Sequence, residues 1–253
     1  MGFNLIKRIK GLLVSYYNNL SFGTLEKLIN NESIPSATDE DEMLFSELMK
    51  HVICQCYYGS TVYGTKTEKS DTDYIVIVDN DIDLYSYPNG IFEYHDSNNN
   101  DYQFVNESTF ITMVMEYDIK ALELMWLPKE YIVKGDMSVY LQYFSLNRWK
   151  LRQVISKLSS HAYAKAHKKM TVIEDYDLNK AEKSLFHSIR ILIFGLQIAK
   201  YGKIVDYSEA NKYMPVINGM KNSQWESYKE VFKPVLNHLR SELVVLCPKE
   251  GTE

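Results

Sequence analysis

Long apolar runs are absent from this sequence of 253 residues. No stretch approaches the roughly 18 consecutive apolar residues that a membrane span needs, so we predict a protein without a membrane partner. Residues 1–22 mix apolar side chains with Lys7, Arg8 and Lys10, and no small-residue cleavage site follows them. This pattern favours an amphipathic first helix over a signal peptide or a membrane-surface segment.

Cysteine is scarce: the chain has only Cys54, Cys56 and Cys247. An odd number of cysteines, without a Cys-x-x-Cys pair or a Cys/His cluster, indicates neither a disulfide framework nor a zinc site. We therefore predict three reduced thiols and a cytoplasmic location.

Positive charge is not in excess, because the formal net charge is -5. Contact with a polyanion therefore has to come from a local patch. Between Met137 and Ile173 the chain has no acidic residue and seven basic ones, which are Arg148, Lys150, Arg152, Lys157, Lys165, Lys168 and Lys169. This basic stretch, residues 148–169, fits either a solvated helix face or a surface that binds polyphosphate or an RNA acceptor.

The remaining composition is that of an ordinary globular protein, with 45% hydrophobic and 24% charged residues. Strands are predicted at His51–Tyr58, Asp73–Val78, Ile91–Asp96 and Tyr102–Val105, the last two around the turn Ser97–Asn100. Helices are predicted from Asp39, after a cap at Ser36 or Thr38, and at Thr109–Met125, Tyr140–Ser159, Lys180–Tyr201 and Ser223–Val245. Strands followed by helices predict an α/β (α+β) fold, with a small mixed sheet in residues 1–135 and a mostly helical domain in residues 136–253.

Two aspartates stand at the entrance of the strand Asp73–Val78. Because strand side chains alternate, Asp71 and Asp73 point to the same side. Two like charges at a buried strand end are costly unless something compensates them. Mg²⁺ binds one or two carboxylates together with substrate phosphates. The pair therefore predicts a divalent-cation site, for Mg²⁺ or alternatively Mn²⁺.

A Gly-Ser turn follows the strand His51–Tyr58. Free N–H groups at the start of a helix, together with the Ser60 hydroxyl, can hold a phosphate. Gly59 lets the backbone approach closely, and Gly64 permits tight packing or a positive φ. Each motif alone is common in ordinary turns, but together they predict a phosphate held beside the metal site.

This arrangement, over about 20 residues, resembles the signature of the nucleotidyltransferase superfamily that includes DNA polymerase beta. The matching residues are Gly59, Ser60, Gly64, Ser70, Asp71 and Asp73. The resemblance implies a third carboxylate on a later strand, for which Asp101 is the candidate and Glu93 and Asp96 are alternatives. It also implies that the three carboxylates bind two Mg²⁺ ions.

The reaction implied by the resemblance is transfer of a nucleoside monophosphate from an NTP, ATP by default, to an acceptor hydroxyl or phosphate, with release of pyrophosphate. Two other functions stay open at this point. One is a toxin or resistance-type adenylyltransferase that acts on a protein or a small molecule. The other is an inactive nucleotide-binding regulatory module on the same fold.

Two later segments resemble a subgroup of predicted nucleotidyltransferases common in bacteria and phages. Ala121–Trp126 is similar to an Asn-Pro-x-x-Leu-Glu-Leu-Leu-like segment, with Tyr117 and Asp118 in place of Asn-Pro. A Lys-x-x-x-His-x-x-Arg pattern is matched by Lys183, His187 and Arg190. Spacings of four and three place these three on one helical face. The resemblance implies that they bind the triphosphate, and an ordinary surface face is the alternative.

Overall fold

A computed structural model describes residues 39–68, 70–220 and 223–249. The amphipathic helix predicted at residues 1–22 and the caps predicted at Ser36 and Thr38 lie outside them. The strands are β1 Val52–Tyr58, β2 Thr72–Val78, β3 Ile91–His95, β4 Asn100–Asn106 and β5 Ile132–Lys134. The α-helices are α1 Asp39–Leu48, α2 Ser60–Tyr63, α3 Glu107–Met115, α4 Ile119–Met125, α5 Arg148–Thr171, α6 Leu178–Tyr201, α7 Met214–Gly219 and α8 Trp225–Leu246. The predicted α+β fold, with a mixed sheet before a helical half, is confirmed.

The five strands form one sheet in the order β3-β4-β2-β1-β5. Only β2 and β4 pair in parallel; the other neighbours are antiparallel. The short edge strand β5 was not predicted, because three residues are too few to show a period of two. The parallel pair aligns the starts of β2 and β4 at the same end of the sheet.

Apolar side chains cover both faces of the sheet. On one face Leu48 of α1 packs with Val76, Val78 and Phe104. On the other, Ile75 and Ile77 join a larger core that includes side chains of α3 to α8. Buried residues occur on nearly every side of α6, so this helix lies in the middle of the helical half. The two predicted halves share this larger core, and the boundary at residue 135 stays a prediction.

The helix predicted over Thr109–Met125 is wrong in its continuity, since the structure has two helices there, α3 and α4. Tyr117 adopts a positive φ of 63° between them. The side chain of Asp118 then caps α4 by accepting a hydrogen bond from Lys120 N at 2.9 Å. The apolar pattern runs through the break and hides it, although an aspartate before an apolar helix is a typical cap.

The helix predicted over Tyr140–Ser159 is wrong at both ends. Tyr140 lies in a 3₁₀ segment, Met137–Tyr143, and α5 begins only at Arg148. Asn147 caps it by accepting from Lys150 N at 2.7 Å. The helix continues to Thr171, because Ala162 and Ala166 extend its buried face past the predicted end.

The three cysteines are buried free thiols. Burial raises the pKa of Cys56 to about 12, so this thiol stays protonated at neutral pH. In the described part of the chain, no helix combines the length and the apolar composition that crossing a bilayer requires.

Candidate active site

Three carboxylates meet where β2 and β4 begin. Asp73 and Asp101 are partners in the parallel register of the two strands, and Asp71 lies just before β2. One carboxylate oxygen from each of the three lies within 4.8 Å of the others. The structure thus brings together the three residues singled out as metal ligands in the sequence.

The charges in this cluster oppose one another. Burial, and after it the charges of Asp71 and Asp101, raise the pKa of Asp73, while Lys183 and Lys66 act in the opposite direction. A divalent cation between the carboxylates would relieve the repulsion. Three clustered carboxylates at a half-exposed sheet end are a donor set that suits Mg²⁺, so the residues fit the predicted metal.

The two alternatives for the third carboxylate lie outside this cluster. Asp96 closes the β3–β4 turn, where it accepts hydrogen bonds from Asn98 N at 2.8 Å and Asn100 N at 2.9 Å. Glu93 accepts from Gln103 Nε2 at 3.3 Å on the neighbouring strand. The geometry therefore favours Asp101.

His95 is a site residue that the sequence reading missed. It pairs with Asp101 across the β3–β4 hairpin, and its Nδ1 donates to Asp101 Oδ1. This hydrogen bond raises the pKa of His95. A signal was available, because a hairpin that turns at residues 97–100 places residue 95 near residue 101.

Gly59 stands between β1 and α2 in a conformation that few other residues adopt, with φ 63° and ψ −139°. A Cβ added here would lie 2.2 Å from Asp73 Oδ2. Glycine is required because the backbone passes directly against the carboxylate. Beside it, the Ser60 hydroxyl is buried and has no hydrogen-bond partner among the described residues. An unsatisfied buried hydroxyl next to a carboxylate cluster is a ready partner for a ligand oxygen.

The three polar residues predicted on α6 do not have the same environment. Lys183 is exposed, and its charge reaches Asp73. His187 is largely buried, which, with the nearby charges of Arg190 and Lys165, lowers its pKa to about 3. The imidazole is therefore neutral at physiological pH, and Arg190 Nη2 lies 3.1 Å from its Nδ1. Of these three residues of α6, only Lys183 and Arg190 are positively charged at this pH.

Two cavities adjoin at this face of α6. One, of about 500 Å³, lies between the sheet and α6 and is lined by Gly59, Asp73 and Asp101. The other, of about 470 Å³, lies between α5 and α6 and is lined in part by Leu158, Lys165 and Lys183. His187 and Arg190 line both. Each volume is in the range of small-molecule pockets.

The basic stretch of residues 148–169 is not one continuous cationic surface. Lys168 and Lys169 form ion pairs with Asp175 at 2.5 and 3.2 Å. Lys150 pairs with Glu116 at 3.1 Å. Within the described ranges, Lys165 has no carboxylate at ion-pairing distance.

No protein-family model matches the chain, and no curated protein matches it. Among solved structures, a nucleotidyltransferase-like protein from Exiguobacterium sibiricum aligns with a TM-score of 0.33 and 13% identity, over 81% of this chain and 74% of that one. Spectinomycin adenyltransferase AAD(9) from Enterococcus faecialis, solved with ATP and spectinomycin, aligns with a TM-score of 0.39 and 13% identity, over 82% of this chain and 99% of that one.

Proposed function

We propose that this protein is a metal-dependent nucleotidyltransferase, which moves a nucleoside monophosphate from an NTP to an acceptor hydroxyl or phosphate. One observation carries the proposal. Asp71, Asp73 and Asp101 converge within 4.8 Å, and the Gly59-Ser60 turn packs directly against this cluster. Phosphoryl transfer needs carboxylates that bind divalent cations next to a turn that binds a phosphate.

In this proposal the three aspartates would hold two Mg²⁺ ions. When bound, the metal neutralises charge on the reacting phosphate and stabilises the attacking and leaving oxygens. The Ser60 hydroxyl donates to a phosphate oxygen of the leaving pyrophosphate. Arg190 and Lys183 neutralise the polyphosphate from the opposite wall of the cleft.

Asp101 is the carboxylate that we expect to accept the proton of the acceptor hydroxyl. His95 donates to one of its oxygens, which fixes the orientation of the carboxylate. Asp101 would accept the proton of the acceptor hydroxyl as the new bond from oxygen to the α-phosphorus forms and the bond to pyrophosphate breaks. His187, being neutral, orients Arg190 rather than adding charge.

The acceptor is expected to enter beside Lys165. The ion pairs of Lys168 and Lys169 reduce the positive charge of the far end of the basic stretch, so an RNA groove along the whole of residues 148–169 is less favoured than contact through Lys165. The predicted domain 136–253 supplies α6 as one wall of the cleft, opposite the sheet of residues 1–135.

Incubation with each α-labelled NTP, Mg²⁺ and, in separate reactions, total RNA, total protein or a small-molecule extract tests the proposal. Label should appear in one acceptor fraction with the unaltered chain and in none with Asp73→Asn. Label in the protein or small-molecule fraction would identify the toxin or resistance type of adenylyltransferase. NTP binding without label in any fraction would indicate the inactive regulatory module and refute the proposed reaction.

A further inference from the structure

Glu123 is a buried carboxylate behind the cleft, apart from the metal cluster. Its side chain is 2% exposed, on α4. The Tyr63 hydroxyl donates to its Oε2, and the Tyr207 hydroxyl donates to its main-chain carbonyl at 2.6 Å. An ionisable group buried in this way is costly unless its neighbours compensate it, so its surroundings call for an explanation.

The cation that compensates the charge of Glu123 is Arg190, and the ring of Tyr63 lies between the two side chains. Burial raises the pKa of Glu123 to about 7, and the charge of Arg190 limits that rise. The two side chains do not form an ion pair within 4 Å. Instead, the guanidinium lies 3.6 Å from the centroid of the Tyr63 ring, the same ring whose hydroxyl is bonded to Glu123. The order in space is therefore carboxylate, phenol ring, guanidinium.

This order has a consequence for Arg190. A direct ion pair with Glu123 would occupy its N–H groups and turn them away from the cleft. A cation–π contact holds the guanidinium by its face and leaves its edge available. Arg190 lines both cavities, and its buried Nε has no hydrogen-bond partner among the described residues. The guanidinium of Arg190 is thus held in place while at least one of its N–H groups has no hydrogen-bond partner among the described residues.

Tyr63 also ties this arrangement to the phosphate-binding turn. It is the last residue of α2, and its N–H donates to Gly59 O at 3.1 Å. Asn211 fixes it from the other side by donating from Nδ2 to Tyr63 O at 2.7 Å. These two hydrogen bonds hold the main chain of Tyr63, so a change at Glu123 or at the phenol hydroxyl alters the ring and Arg190 without moving the Gly59-Ser60 turn.

We propose that Glu123 is a positioning residue for polyphosphate binding: through Tyr63 it sets Arg190 with its donors facing the cleft, an assignment that rests on the proposed function. Glu123 does not touch the substrate. It orients the phenol, and the phenol carries the cation that contacts the phosphates.

The test measures the Kd of Mg²⁺–ATP and of Mg²⁺–tripolyphosphate by calorimetry for the unaltered chain, Glu123→Gln and Tyr63→Phe. Both variants should raise both Kd values by about tenfold, because a misplaced charge-assisted contact loses about that factor. In an Arg190→Ala background neither change should raise Kd further, since residues that act through one group are not additive.

Glu182→Gln is the matched control. Glu182 is also buried and also accepts from a tyrosine, Tyr228, at 2.6 Å, but on the side of α6 that packs toward α8. It should change the melting temperature without changing either Kd. Unchanged Kd values in Tyr63→Phe or in a folded Glu123→Gln, or an equal effect in the Arg190→Ala background, would overturn the proposal. Absence of binding by the unaltered chain would instead refute the proposed function.

Discussion

Replacing Gly59 by alanine tests the contact on which the candidate site depends. The added Cβ would lie 2.2 Å from Asp73 Oδ2, whereas ordinary van der Waals contacts begin at 3.4 Å. The carboxylate therefore has to move by about 1 Å (3.4 minus 2.2), or the Gly-Ser turn has to move by the same amount. Either movement separates the two halves of the proposed metal and phosphate site.

The expected magnitudes follow from two separate effects. A residue with a side chain in this glycine-favoured region costs about 1–3 kcal/mol of folding free energy. At about 2–4 °C per kcal/mol, the melting temperature falls by roughly 2–12 °C. A misplacement of about 1 Å at a reacting centre costs on the order of 100-fold in rate. We therefore expect a folded protein with about 100-fold lower kcat/KM.

Gly202→Ala separates these two effects. Gly202 also has a positive φ, of 73°, but its added Cβ would meet nothing within 4 Å. This variant has the cost of backbone strain without the clash. Thermal melts and steady-state transfer assays should show a smaller loss of stability in Gly202→Ala than in Gly59→Ala, and a large loss of kcat/KM only in Gly59→Ala. Equal kcat/KM in the two variants would refute the inference that Gly59 is needed for the placement of Asp73.

The remaining predictions concern charge. Asp73→Asn should abolish transfer yet stabilise the metal-free protein at neutral pH. The pKa of Asp73 is raised above 3.8 in the folded protein, so the stability that its protonated form contributes at lower pH is lost when Asp73 ionises, and asparagine does not ionise. Urea denaturation in EDTA measures the difference in stability. An NTP should raise the melting temperature more with Mg²⁺ than with EDTA, and equal shifts would count against a metal-bridged triphosphate. Lys165→Ala should raise the KM of the acceptor, whereas Lys168→Ala with Lys169→Ala should leave it nearly unchanged. Stability of the unaltered chain relative to Glu123→Gln should fall by up to about 3 kcal/mol as pH rises from 4.5 through 7, measured by denaturation at a series of pH values.

The alternation of side-chain directions along a single strand is enough to predict, from the sequence, that Asp71 and Asp73 point to the same face. Asp101 is different, because its position depends on β4 lying parallel to β2 in one particular register. Pairing between parallel strands joins residues about 30 positions apart, and the local pattern of a single sequence does not show its register. The choice of Asp101 over Glu93 and Asp96 came from the resemblance, and the cluster geometry now favours it.

The helix boundaries show a second limit of the sequence reading. The apolar period continues across Tyr117, so periodicity predicted one helix where the backbone turns and a new cap begins. Caps at Asp118 and Asn147 were readable residue types, but side-chain hydrogen bonds decide which candidates cap a helix. The sequence thus predicted the existence of the helices better than their ends.

The arrangement around Arg190 shows why spacing alone describes this site incompletely. Helical spacing correctly predicted that Lys183, His187 and Arg190 share one side of α6, but it treats them as equivalent. The fold differentiates them: Lys183 is exposed and its charge lowers the pKa of Asp73, while burial keeps His187 neutral. Arg190 makes a cation–π contact with the ring of Tyr63, a residue far earlier in the chain. Under the proposed function, Lys183 would meet a triphosphate as a solvent-exposed cation and Arg190 as a cation held against a ring, and the held one would be better placed to favour a single geometry of the reacting phosphate.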